Sequence, residues 1–276
     1  MARDRRYSFR VELRFEKYEG LGNDFLVVGE GAALAPGVAE RLCDRHRGVG
    51  GDGVLVTGVE GGRPFMRVRN ADGSAPEMCG NGVRCVALYL HARGLVGDAF
   101  ELDTDAGPHA VRVLGDGRVE VAMRPPSLAP RDLPLDAPAP WVDEPIEVGG
   151  VALRVTAVSM GNPHAVTFDA VDPARVGPVL ERDPRFPARV NAGFATRTEA
   201  GLDLVVWERG VGFTEACGTG ACAAGVAAVE TGRARRGEDV VVRLPGGELV
   251  IRVGAPGAPV LMTGPARRVF SGVVEV

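Results

Sequence analysis

Two cysteines stand in turns of nearly the same composition: Cys79 opens C-G-N-G at 79–82, and Cys217 opens C-G-T-G at 217–220. A helix candidate follows each, over 83–94 and 221–232, ending on Gly94 or Gly232 where a helix C-terminus favours glycine. The first N–H groups of a helix lack internal partners, and the macrodipole places partial positive charge there. Such a turn can hold a carboxylate and favours thiolate over thiol. Lowering a free thiol from about 8.5 to about 7 takes roughly 2 kcal/mol, which a partly buried helix terminus can supply. One such cysteine reads as a nucleophile. Two, on matching segments, read as acid/base groups facing one carbon from opposite sides, the arrangement that inversion of a stereocentre by proton transfer requires. One thiolate removes the α-proton, the opposite thiol supplies another, and the helix N-termini stabilise the α-carboxylate and the charge spreading into it.

The elements positioning these turns repeat along the chain. A shift of 138 residues lays Cys79 on Cys217, Gly80 on Gly218, Gly82 on Gly220, Gly94 on Gly232, Glu77 on Glu215 and Val68 on Val206, without a gap. A shift of 139 lays L-G-N-D-F-L-V at 21–27 on M-G-N-P-H-A-V at 160–166, pairing Asn23 with Asn162. Internal duplication is the expected architecture. A proline-rich seam over 124–145 separates the halves and predicts an extended connector. Alternating or β-branched runs at 25–29, 53–59, 65–70, 109–123 and 152–160 predict strands, with G-D-G-R at 115–118 as a tight turn. The second helix is small and apolar on nearly every face, so it must be surrounded by protein. The expected fold is α+β: two pseudo-symmetric lobes, each a curved mixed sheet around one central helix, with the site in the cleft between them. The expected lobes are 1–125, joined by 266–276, and 126–265.

Composition narrows the function classes. The 276 residues carry 45% apolar and 25% charged side chains and a net charge of −4, which gives no general attraction to nucleic acid or anionic membrane. The N-terminus lacks the apolar core of a signal peptide, and no apolar run reaches membrane-spanning length, so a cytoplasmic location is expected. The five cysteines are odd in number in a chain large enough to fold without disulfides. A zinc site from Cys79, Cys85, Cys217 and Cys222 has unfavourable spacing, and Cys43, Cys85 and Cys222 read as small buried apolar residues. Lys17 is the only lysine, and nothing near it reads as a phosphate cradle, so a pyridoxal route is not expected. The expectation is no cofactor and no metal.

G-L-G-N-D-F at 20–25 within E-G-L-G-N-D-F, R-N-A-D-G-S-A-P-E-M-C-G-N-G-V-R-C at 69–85, G-N-P-H at 161–164 and W-E-R-G-V-G-F-T-E-A-C-G-T-G-A-C-A at 207–223 resemble the diaminopimelate epimerase family, in the same order and over most of the chain. The resemblance implies conversion of LL-diaminopimelate to the meso form without cofactor or metal, a step in lysine biosynthesis, by two lobes closing on the substrate in a homodimer. It implies Cys79 and Cys217 as the acid/base pair, with Gly80, Asn81, Gly218 and Thr219 holding the α-carboxylate. Asn23, Asn70, Asn162, Asn191, Glu208 and Arg209 would contact amino and carboxylate groups, with Arg209 suited to a distal carboxylate. His164 and Glu208 would tune the thiols. One departure is Gly53, where the family pattern usually has a substrate-contacting glutamine; the 138 shift sets it opposite Asn191. The leading dozen residues read as an extension.

Each residue also has a plainer reading. The asparagines could satisfy turn backbone, His164 could be structural, and Glu208 with Arg209 could be an exposed ion pair. The rival functions are a two-thiol proline or hydroxyproline racemase or epimerase, a thiol redox protein (disfavoured because no C-x-x-C occurs), and a non-catalytic substrate-binding relative.

Overall fold

A computed structural model describes residues 12–31, 34–75 and 79–276. Residues 1–11, which make up most of the expected extension, lie outside the described residues, as do Glu77 and Met78 of the first motif. The first half runs β1 (Glu12–Gly20), β2 (Asn23–Val28), α1 (Val38–Cys43), β3 (Gly53–Glu60), β4 (Arg63–Asn70), α2 (Gly80–Ala92), β5 (Ala99–Thr104), β6 (Gly107–Val113) and β7 (Val119–Ala122). The second runs β8 (Glu144–Val148), β9 (Val151–Ser159), β10 (Pro163–Thr167), α3 (Pro173–Glu181), β11 (Asn191–Thr198), β12 (Gly201–Glu208), β13 (Gly212–Phe213), α4 (Gly218–Glu230), β14 (Asp239–Leu244), β15 (Gly247–Val253), β16 (Val260–Gly264) and β17 (Arg267–Glu275).

Pairing repeats between the halves. β1 pairs antiparallel with β2, β2 parallel with β3, β3 antiparallel with β4, β4 parallel with β5, and β5 to β7 form a meander. β9 to β12 and then β14 to β16 repeat that order of parallel and antiparallel joins. The halves meet where β7 pairs antiparallel with β16, Ala122 against Leu261 and Val119 against Gly264. β17 crosses back to pair antiparallel with β1. The fold is α+β with two similar lobes, as the duplicated motifs predict.

The predicted strands appear as β2, β3, β4, β6 with β7, and β9, and the G-D-G-R turn joins β6 to β7 with Gly117 at φ 82°. Both predicted helices end as expected, with Gly94 at φ 66° and Gly232 at φ 71° just beyond them. Their apolar side chains belong to one continuous core: Val83, Val86 and Leu90 of α2 share a cluster with Ala221, Ala224 and Val226 of α4. Two smaller helices, α1 and α3, were not expected; α3 carries Pro178 internally. The seam is no loose linker either. Pro130–Asp132 forms a 3-10 turn, and Leu133, Leu135 and Trp141 are buried against Phe186 and neighbouring strands.

Candidate active site

Cys79 and Cys217 are the N-cap residues of α2 and α4, both in extended backbone (φ −139°, ψ 97° and φ −119°, ψ 103°). Each Sγ accepts a hydrogen bond from the N–H three residues on, Gly82 or Gly220, at 3.3 Å. The thiol thus does what a serine or aspartate does at an ordinary N-cap. The geometry explains the motif's second glycine: a Cβ on Gly82 would stand 3.3 Å from Cys79 Sγ, and one on Gly220 3.1 Å from Cys217 Sγ. The first glycine brings the helix ends together. A Cβ on Gly80 would meet Met262 Cε at 3.0 Å, and one on Gly218 would meet Met262 Sδ at 3.1 Å. Asn81 Nδ2 also reaches across to the Ala216 carbonyl at 3.4 Å.

Both cysteines line one cleft of about 1220 Å³. Matching segments build its walls: Gly22 before β2 and Asn23 opening it, and Met160 to Pro163 before and into β10; Asn70 ending β4, and Glu208 ending β12. Gly80, Asn81, Gly218, Thr219 and Arg209 line it as well. Asn23 donates to Asp52 Oδ2 at 2.6 Å and accepts from Asn81 at 3.2 Å. Asn162 donates to Thr219 Oγ1 at 3.3 Å, and Asn70 to Ser74 Oγ at 2.9 Å. The paired asparagines, which line the cleft, are therefore held in place by side chains around it.

Two predicted residues stand behind the lining. His164 is buried, and its Nε2 lies 3.0 Å from Asn162 Oδ1, an acceptor, so the ring N–H donates and orients the amide. Burial, followed by the nearby charge of Arg209, pushes the imidazole down to about 3, which keeps it neutral. Asn191 donates to the Pro163 carbonyl at 2.9 Å and accepts from the Arg209 N–H at 2.9 Å, tying together two walls. Gly53 is buried at the start of β3, where a Cβ would fall 2.8 Å from the Arg69 carbonyl. A side chain there has no room, and the neighbouring Asp52 lines the cleft instead.

Helix termini were expected to draw the thiols toward thiolate; in the structure burial wins. It pushes Cys79 upward against the hydrogen bonds from the Gly82 and Asn81 N–H groups, although Cys79 keeps part of its surface open to the cleft. Burial, reinforced by the Glu208 carboxylate, also pushes Cys217 upward. Burial raises Glu208 in turn, against hydrogen bonds with Thr214 (2.5 Å) and the Cys217 thiol. Sequence reasoning missed Asp52, Arg45, Asp72, His109, Arg124 and Thr214, all of which line the cleft. The available signals were that Asp52 adjoins Gly53, that Asp72 lies inside the 69–85 motif and that Thr214 lies just before the second cysteine turn. Among the described residues no group of three or more His, Cys, Asp or Glu side chains could hold a metal ion.

The fold resembles the crystal structure of a hydroxyproline epimerase from Agrobacterium vitis with bound trans-4-hydroxy-L-proline, at a TM-score of 0.68 and 16% identity over 97% of this chain and 94% of that one. That likeness shows a shared fold. The diaminopimelate epimerase family model matches residues 15–129 and 156–269. The diaminopimelate epimerase of Desulforudis audaxviator (strain MP104C) is 50% identical over 94% of this chain and 98% of its own length, and that of Acaryochloris marina (strain MBIC 11017) is 44% identical over 96% and 99%. The chain belongs to the diaminopimelate epimerase family, and the protein is an isomerase, an amino-acid epimerase.

Proposed function

We propose that the protein interconverts LL- and meso-diaminopimelate by a cofactor-independent, two-base mechanism in which Cys79 and Cys217 are the bases. The observation that carries this reading is the pair of equivalent helix N-caps, both cysteines, whose side chains line one cleft. One thiolate takes the α-proton, and the electron pair left on carbon spreads into the α-carboxylate. The other thiol delivers its proton to the opposite face. The enzyme ends with the protonation states of the two sulfurs exchanged and runs in reverse from that state. The α-carboxylate sits against the N–H groups opening α2 and α4, with Gly80, Asn81, Gly218 and Thr219 around it. Glu208, hydrogen-bonded to Cys217, biases which sulfur holds the proton. His164 acts by fixing the Asn162 amide.

Arg209 and the cleft volume favour a long substrate with a charged far end over a compact cyclic amino acid. Incubating the purified protein separately with LL-diaminopimelate, L-proline and trans-4-hydroxy-L-proline, with products separated on a chiral column, tests the choice. The reading predicts conversion of diaminopimelate alone; conversion of either cyclic substrate in its place contradicts it.

The lobe boundary at 125/126, with 266–276 joined to the first lobe, is part of the proposal and is supported by the pairing of β17 with β1. A homodimer is supported by Val269, Phe270 and Val273, exposed on β17. Among the described residues no helix is long and apolar enough to cross a membrane; a cytoplasmic place in lysine biosynthesis is proposed from the family.

A further inference from the structure

Among the described residues Arg84 is the largest fully buried side chain, with none of its surface exposed. It lies one turn into α2, beneath the place where the two cysteine-capped helices converge. Its Nε donates to the Pro265 carbonyl at 3.0 Å, Nη2 to Asn81 Oδ1 at 2.9 Å, and Nη1 to the Gly80 carbonyl at 3.5 Å, with Met262 Sδ at 3.9 Å. Every one of these acceptors is neutral, and among the described residues Arg84 forms no ion pair. The backbone is shaped around the guanidinium: a Cβ on Gly20 would stand 3.2 Å from Nη2, and one on Gly264 3.2 Å from Nε.

A buried charge without a counter-ion is costly, and an apolar residue of similar size is usually no less stabilising. The cleft directly above this charge is where the reaction places negative charge. The duplication also makes Arg84 one-sided, because the 138 shift sets it opposite Cys222, a small buried thiol. The matching wall positions differ in the opposite sense, with Asn70 on one side and Glu208 on the other.

We infer that Arg84 is an electrostatic positioning residue: its buried guanidinium is the fixed countercharge for anions at the α2 N-terminus, the Cys79 thiolate and the substrate α-carboxylate, and it locks the Asn81 amide between the two helix ends. The inference rests on the epimerase reading for the substrate part alone. The ionisable groups facing Arg84 are Cys79 and Cys85 on its own helix, Cys222 on α4 and Glu19 on β1. Burial pushes the Cys222 thiol up to about 12 and Cys85 upward as well, so neither supplies a counter-ion near neutral pH. Glu19 is engaged with Arg267 at 3.0 Å. Cys79 feels Arg84 as a lowering influence and, across the cleft, Glu208 as a raising one. No proton or electron is transferred to Arg84; it stays charged throughout.

The test compares the native protein with Arg84→Met and Arg84→Lys. The first readout is the pH dependence of Cys79 alkylation by iodoacetamide without substrate, followed by peptide mass. The second is kcat and KM for LL-diaminopimelate. Arg84→Met should move the alkylation midpoint up by about one pH unit, and it should lower kcat by roughly 100-fold with a smaller change in KM. Arg84→Lys keeps a buried cation and should stay within about half a unit of the native midpoint even where its stability falls. A folded Arg84→Met protein with the native midpoint overturns the inference, and so does a folded Arg84→Lys protein whose midpoint rises as far as that of Arg84→Met. Alkylation needs no substrate, so a native protein inert toward diaminopimelate defeats the functional reading without deciding this one.

Discussion

A thiol that caps a helix needs a residue without a side chain three positions on, and this requirement gives the two glycine turns a physical reason beyond their resemblance to each other. In Gly220→Ala the added methyl would meet both Cys217 Sγ and Val206 Cγ2 at 3.1 Å. The neighbours must give by a few tenths of an ångström, less than the ~1 Å misplacement that costs about 100-fold in rate. We expect kcat to fall by about 3- to 10-fold while the melting temperature drops only modestly, consistent with an overpacking cost of roughly 1–3 kcal/mol; steady-state kinetics beside a thermal melt checks both. His164 carries a separate prediction. Its pKa in the folded protein is depressed from 6.5 to about 3, so the unfolded chain binds the proton first as pH falls. Its contribution is fully present above about 6.5 and is lost progressively down to about 3. Urea midpoints between pH 7 and pH 4 should therefore fall more steeply for the native protein than for His164→Gln. Equal slopes would show that the imidazole takes up its proton freely in the folded state. At this scale the acid/base candidates and the asparagines were legible in the sequence because motif and repeat agree. Asp52, Arg45 and His109 were not, because their place at the cleft comes from long-range pairing with no local pattern.

Helices α2 and α4 are structural equivalents but differ in what they present. Asn70 ends β4 and Glu208 ends β12 in matching positions, so the two walls of the cleft differ by a neutral amide against a carboxyl group, and the carboxyl group interacts with the Cys217 thiol. Glu208→Gln removes that difference, keeps the hydrogen-bonding shape, and should lower kcat by about 10- to 100-fold with little change in stability. Leu90→Ala acts in the opposite way. Leu90 is fully buried in the shared core, so its truncation should cost about 2–5 kcal/mol while the protein that remains folded keeps its specific activity, as denaturant titration and active-site counting would show. Strands with clear alternation and helices ending on glycine were readable from the chain. The helix α1, six residues long, is too short for a periodic pattern, and Pro178 together with Gly177 masks α3. The prolines of the seam mark an extended connector and do exclude a long helix; its docking was not readable, because Leu133, Leu135 and Trp141 between and beyond them fix it to the second lobe by burial that has no local pattern.

Across the whole molecule, two copies of one unit are joined by β7 with β16 and by β17 returning to β1. Arg267–Glu19 and Arg268–Glu16 pairs and the Phe15–Phe270 edge contact hold that return strand. Removing 266–276 uncovers the edge of β1 and should lower the melting temperature by about 2–4 °C for each kcal/mol lost, since the core is continuous across both lobes. The duplication was visible in the sequence. The crossing of β7 onto β16 was not, since it joins segments of unlike sequence. Both sulfurs must handle a proton at one carbon for inversion to occur, and the most direct measurement incubates LL-diaminopimelate in deuterium oxide with the native protein, Cys79→Ala or Cys217→Ala. Native protein should place solvent deuterium at the α-carbon together with inversion to the meso form, and both variants should lose inversion by at least about 100-fold; near-native inversion by either variant would contradict the two-thiol mechanism.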